Sequence, residues 1–207
     1  MTSERFPATR SNLLRCRRRL DQVRHGTLLL KRKRQSLVDE LFARARTVVT
    51  SREDLEAEAR RAWQSLWQAL AMEGGAALAP LGWPTREVEI ELSTIELWGV
   101  KVAALDGRPT LVRSLAARGV FPGAADAPSQ EAATRFERLL EHLLDAAPPE
   151  QMMRRLGQEL ARTTRLVNTL EQRVATRLGS EITGIERTLS EREREEHLRT
   201  KRLIGRR

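Results

Sequence analysis

The chain has 207 residues, 31% of them charged and 4% aromatic, with no tyrosine; large side chains are too scarce to fill the core of a rounded globule. Alanine, leucine, glutamate and arginine dominate instead, the composition of long helices and coiled coils. The formal charge of +9 arises within residues 1–46, where 13 basic side chains outnumber 4 acidic ones, while the remainder balances at 24 against 24. Such an excess points to an acidic partner, whether nucleic acid, membrane surface or protein. Cys16 is the single cysteine, which excludes an internal disulfide and fits a reducing compartment. No run approaches the roughly 20 apolar residues of a membrane helix. The N-terminus has arginines where a secretory peptide would have an apolar core. A cytoplasmic protein without direct membrane insertion is the expectation.

Residues 1–72 read as one long helix, with Thr9 or Ser11 as its cap. Steps of three and four from Leu13 pass through Cys16, Leu20, Val23, Thr27, Leu30, Arg34, Leu37 and Leu41, the rhythm of a coiled-coil seam. Trp63, Leu66, Trp67 and Leu70 extend an apolar stripe beyond a weaker middle. At 1.5 Å per residue such a helix would be roughly 95 Å long. Residues 73–129 form a central region. It opens on a breaker-rich turn, GGAALAPLGWP. There Val88, Ile90 and Leu92 alternate with glutamates at the period of a half-buried strand. A second run from Ile95 to Val102, broken at Gly99, completes a β-hairpin over 86–102. Residues 130–147 form a short amphipathic helix, which Pro148-Pro149 should end.

The last segment, 148–207, mirrors the first. Its seam runs through Leu156, Leu160, Thr163, Val167, Leu170 and Val174, then Leu178, Ile182, Ile185 and Leu189. Successive steps of four there amount to a stutter, which predicts a straighter course near 174–185. Two seamed helices at opposite ends of a chain most simply pair as an antiparallel coiled coil. Gly26, Gly157, Gly179 and Gly184 interrupt these helices, at about 1 kcal/mol each relative to alanine. Close approach of the partner backbone is the favoured explanation, ahead of a local kink. The fold class expected is therefore mainly α: a long antiparallel two-helix coiled coil, with a short helix and a small β-hairpin between.

Catalytic chemistry finds no foothold. His25, His142 and His197 are scattered without metal-ligand spacing. GTLLLKRKR, 26–34, lacks the second glycine and the Lys-Ser/Thr of a phosphate-binding loop. The carboxylates of EREREE, 191–196, alternate with arginines as solvated helix pairs do. No catalytic, cofactor-binding or metal-binding residue is assigned, and no cofactor is expected. A basic coiled-coil adaptor or nucleic-acid-binding rod remains an alternative. The basic runs RCRRRL and KRKR suit phosphate contacts, but aromatic residues for base stacking are absent beside them, so nucleic acid is not the expected partner.

Three segments carry a resemblance. PATRSNLLRCRRRLDQVRHGTLLLKRKRQSLVDEL, 7–41, contains Gly-x-x-Leu-Leu-Lys-x-Lys-Arg at Gly26, Leu29, Leu30, Lys31, Lys33 and Arg34. TTRLVNTLEQRV, 163–174, carries Thr164, Arg165, Val167, Asn168, Leu170 and Glu171, and WGVKV occupies 98–102. Together these resemble the D subunit of the V-type and archaeal-type rotary ATPases. The resemblance implies a central rotor stalk without a catalytic site, peripheral to the membrane within a membrane-bound complex. It implies partners too: the catalytic A and B subunits, the F subunit, and the C (or d) subunit capping the membrane ring. The tip entering the catalytic ring would comprise residues 1–12 and 195–207. Arg17, Arg18, Lys31, Arg32 and Lys33, outside the seam, are the expected basic surface facing that ring. Val88, Ile90, Leu92, Val100 and Val102 are the expected foot contacting the F subunit.

Overall fold

The structure, a computed structural model, describes residues 7–78, 81, 87–114, 116–118 and 126–204. The elements are α1 (Arg10–Glu73), a short α2 (Gly75–Leu78), β1 (Glu91–Leu97), β2 (Val100–Gly107), a 3-10 turn (Ala116–Arg118), α3 (Ala127–Thr169), a π-helical turn (Leu170–Ala175) and α4 (Thr176–Ile204). The protein is mainly helical, as its composition requires. Its long N-terminal and C-terminal helices pack together, and one two-stranded antiparallel sheet lies between them in sequence. Contacts divide the chain into two units, residues 1–36 with 160–207 and residues 37–159.

Helix α1 starts where its cap allows. The Thr9 hydroxyl oxygen accepts a hydrogen bond from the Asn12 amide at 3.2 Å, satisfying one of the free amides of the first turn. It ends at Gly74, whose φ of +75° is the left-handed stop that glycine adopts without a Cβ penalty.

In unit 37–159, α1 and α3 run antiparallel: Arg52 reaches Glu150 at 3.6 Å, the rings of Trp63 and Phe136 meet edge-to-face at 5.8 Å, and Ser129 donates to Glu73. The expected break at Pro148-Pro149 does not occur, because α3 continues through both prolines to Thr169. Each proline removes an amide and crowds the carbonyl four residues back. Complete burial of Leu156 and near-complete burial of Ala146 offset that loss by holding the turns on either side. The described strands also differ from expectation. β1 begins at Glu91, after residues 87–90, and pairing extends to Gly107. Leu97 pairs with Val100, so Trp98 and Gly99 form a two-residue turn with φ of +51° and +79°, both positive as a type I′ turn requires. Asp106 bulges out beside Leu92 and accepts a hydrogen bond from Ser93 at 2.8 Å.

After β2 the chain lies along α3 as a strap held by charge. Arg108 forms a two-pronged pair with Asp145 at 2.6 and 2.8 Å. The Leu111 amide donates to Glu141, and the Arg113 amide to Glu137. Arg118, almost fully buried, donates to Glu137 at 2.8 Å. Glu137, Glu141 and Asp145 stand one helical turn apart, so a single acidic stripe receives the whole strap. The hydrogen bond from Arg108 holds the Asp145 carboxyl below its ordinary 3.8. A lowered folded-state value stabilises the fold above the ordinary range and is lost as pH falls through it. We therefore expect Asp145→Asn to cost up to about 1 kcal/mol near neutrality, since the group is half exposed. The variant should also be less sensitive than the parent to acid below pH 3.8. Urea denaturation at pH 7 and pH 3 measures both, and an equal acid sensitivity would refute the assignment.

Candidate functional site

Unit 1–36 with 160–207 is an antiparallel two-helix arm. Along α1 the seam positions are the least exposed ones: Cys16, Thr27 and Leu37 are buried, and Leu13, Leu20, Val23 and Leu30 are half-buried. On the opposite helix Val167 and Ile185 are buried, while Leu160, Leu170, Val174 and Leu189 are half-buried. Cys16, Ile182 and Ile185 form a core cluster against which Leu13, Leu20 and Leu189 pack. Leu37 is also fully buried, within the other unit.

One flank of this seam is closed by ion pairs. Basic residues recur on α1 every seventh position, at Arg10, Arg17, Arg24 and Lys31. Arg10 meets Glu193 at 2.7 Å, Arg17 meets Glu186 at 2.7 Å, and Lys31 meets Glu171 at 2.5 Å. The hydrogen bond to Glu193 raises the pKa of Arg10 above its ordinary value. Arg24 turns instead to Asp21 of its own helix at 4.0 Å, because the register puts Gly179 opposite it.

The pairs also reveal a mismatch. Between Arg17 and Lys31 α1 advances by 14 residues, whereas the partner helix advances by 15 between Glu186 and Glu171. The extra residue falls within the interval containing the π-helical turn, Leu170–Ala175, where hydrogen bonds span one residue more than in an α-helix. The stutter predicts a straighter course near 174–185; what the helix has is one local π-helical turn, Leu170–Ala175. A single wide turn absorbs the phase error that would otherwise unwind the coil over several turns.

Of the five cations expected on the basic surface, Arg17, Arg18, Lys31 and Arg32 are exposed and Lys33 is half-buried. Arg17 and Lys31 are occupied by Glu186 and Glu171, and Lys33 also has a partner within the chain. Lys31, expected outside the seam on the surface facing the ring, instead turns toward the other helix and pairs with Glu171. It flanks seam residue Leu30, and its four-carbon stem spans the interface. The close-approach explanation of the glycines also fails, since a Cβ at Gly26, Gly157, Gly179 or Gly184 would meet nothing within 4 Å. Val88 and Ile90, which precede β1, and Leu92 on it are exposed, but Val100 and Val102 are buried within this chain and cannot serve as a contact face. Among the described residues, no group of three or more His, Cys, Asp or Glu is placed to hold a metal ion. No described helix is long and apolar enough to cross a membrane.

The model of the family described as the D subunit of ATP synthase matches residues 12–204. The chain belongs to the family of ATP synthase D subunits. Its relatives span bacteria and archaea. The D subunit of the V-type ATP synthase of Anaeromyxobacter sp. (strain Fw109-5) is 39% identical over 204 residues, covering 98% of this chain and 94% of the relative. The V-type D subunit of Thermus thermophilus is 35% identical over 207 aligned residues, covering 95% and 86%. The A-type D subunit of Pyrococcus horikoshii is 33% identical over 196 residues, covering 94% and 91%. In a D subunit the family-like segments 26–34 and 163–174 acquire a structural meaning: they contribute Lys31 and Glu171, a pair whose acidic member lies in the π-helical turn.

Proposed function

We propose that this chain is the central-stalk rotor subunit of a V/A-type ATP synthase. It couples ATP hydrolysis or synthesis in a catalytic head to rotation of a membrane ring and ion transport, and it has no catalytic site of its own. The observation that carries the reading is the antiparallel arm, whose apolar seam and repeated cross-helix ion pairs resist both shear and rotation of one helix about the other. Membership of the D-subunit family favours this reading over the nucleic-acid-binding rod. The arm's free end would enter the ring of A and B subunits. Leu198, Leu203 and Ile204, exposed there on α4, suit an apolar bearing. The outermost residues of that tip, 1–6 and 205–207, lie outside the described residues. The F subunit and the C (or d) subunit would take the other unit, with Leu92, Ile95 and Trp98 exposed on its hairpin. The protein would work on the cytoplasmic side, peripheral to the membrane.

Reconstitution with the A, B and F subunits and the membrane sector tests the reading. Omitting this chain should abolish ATP-driven ion transport. Reversing Arg18 and Arg32 to glutamate should lower the ions moved per ATP at least twofold while hydrolysis continues. An unchanged ratio would remove these two cations from the bearing. Full transport without the chain would remove the rotor role itself.

A further inference from the structure

The other flank of the arm is built differently. A groove of about 460 Å³ opens between the helices, lined by Arg15 and Arg19 from α1 and by Arg173 and Arg177 from the opposite chain segment. Each pair is spaced four residues apart, hence one helical turn on one face. Among the described residues, Glu181 is the one carboxylate in the lining, and it is engaged by Arg177 at 2.8 Å. No partner is formed by Arg15, Arg19 or Arg173 among the described residues. Two helices that neutralise each other along one flank therefore oppose like charges along the other. Like charges facing across a helix pair destabilise it, so an anion from outside would stabilise the arm as well as bind to it.

The floor of the groove identifies the anion's chemistry. Cys16, Val174 and Leu178 supply an apolar base beneath the guanidinium rim, and among the described residues no aromatic ring lines it to stack a nucleobase. A bare phosphate would leave that base unfilled. Carboxylate side chains carried on a peptide would satisfy the rim, while an aliphatic side chain between them covers the floor. We propose that this groove is a docking site for an acidic segment of a partner polypeptide, with carboxylates flanking an aliphatic residue. Arginine forks recognise carboxylates through paired, charge-assisted hydrogen bonds, which gives the site orientation as well as attraction. The site lies beside the π-helical turn, since Arg173 and Val174 belong to it. That turn therefore sets where half of the rim points. The stalk reading enters only in expecting the acidic segment on a subunit surrounding the arm.

The test uses the full chain and three probes: a labelled peptide of Glu-Glu-Leu repeats, its Gln-Gln-Leu counterpart, and inorganic triphosphate. The acidic peptide should bind and raise the melting temperature, with the glutamine peptide at least tenfold weaker. Arg15→Glu and Arg173→Glu should each weaken binding about tenfold or more, whereas Arg60→Glu, exposed in the other unit and outside the groove, should weaken it less than twofold. Arg15→Gln should fold normally and melt at a higher temperature than the parent, because one repulsive charge is gone. Equal binding of the two peptides, or an equal effect of Arg60→Glu, would overturn the proposal. Triphosphate displacing the peptide at lower concentration than the peptide itself would overturn the assignment to a polypeptide. These measurements need no other subunit, so their failure is distinct from loss of coupled transport in the reconstituted enzyme.

Discussion

Deleting Gln172 should leave the two-helix arm intact, whereas deleting Thr183 should unfold it. Both residues are exposed and neither touches the seam, so side-chain loss alone predicts no difference. The contrast comes from backbone phase. Gln172 lies in the π-helical turn, which contains one residue more than the seam needs, and removing it converts a wide turn into an ordinary one. Val167 below and Ile182 above keep their facing, and Lys31 keeps Glu171. Thr183 lies in regular helix, where losing a residue rotates everything beyond it by about 100°. Ile185 and Leu189 would then leave the core cluster around Cys16, at about 1.5–3 kcal/mol for each large side chain exposed. The pairs at Glu186 and Glu193 would swing away with them. Circular dichroism melts of the two deletions measure this, with the Thr183 deletion expected to lose several kcal/mol in sum. Comparable melts would refute the idea that the π-helical turn stores the surplus residue.

The second large effect is expected at Glu137. Its carboxylate serves the nearly buried Arg118 guanidinium, the Arg113 guanidinium and the Arg113 amide, while a second Arg118 nitrogen is buried without a partner among the described residues. Glu137→Gln preserves shape but leaves a buried cation without its counter-charge, a change of about 3–5 kcal/mol. Glu137→Leu combined with Arg118→Met removes both charges and should restore most of that loss, because replacing a buried pair by apolar groups is often neutral. Urea denaturation of the single and double variants gives the comparison. Hydrogen exchange should show the single variant releasing residues 108–118 before the rest of its unit. A double variant as unstable as the single one would mean that shape, rather than charge, holds the strap.

The two-helix arm was legible in the sequence because a seam is a local property. Leu13, Cys16 and Leu20 announce their common face by spacing alone, and Thr9 announces the helix start by its short polar side chain. The family-like segments likewise stand out as contiguous text. What spacing could not reveal was pairing between distant elements. Arg108, Arg113 and Arg118 recur every five residues, which matches no helix. Glu137, Glu141 and Asp145 recur every four on one that was expected, yet nothing local ties the two sets together. Proline misled in the opposite way. Its local cost is real, but Leu156 and Ala146 are buried by contacts that the dipeptide does not encode. The basic surface was half read: the charges at 15–19 were visible, but which were neutralised depended on where Glu171 and Glu186 fell on the other helix. That depended in turn on one surplus residue.

The unequal flanks of the arm have an electrical consequence. With Glu171, Glu186 and Glu193 compensating one side, and Arg15, Arg19 and Arg173 left uncompensated on the other while Arg177 pairs with Glu181, the charge distribution has a transverse dipole, perpendicular to the helices. A body with such a dipole has no axial symmetry in its far field. Its energy inside a fixed arrangement of charges that is not itself symmetric about the axis of turning varies with the angle through which it is turned, and that variation is itself a torque.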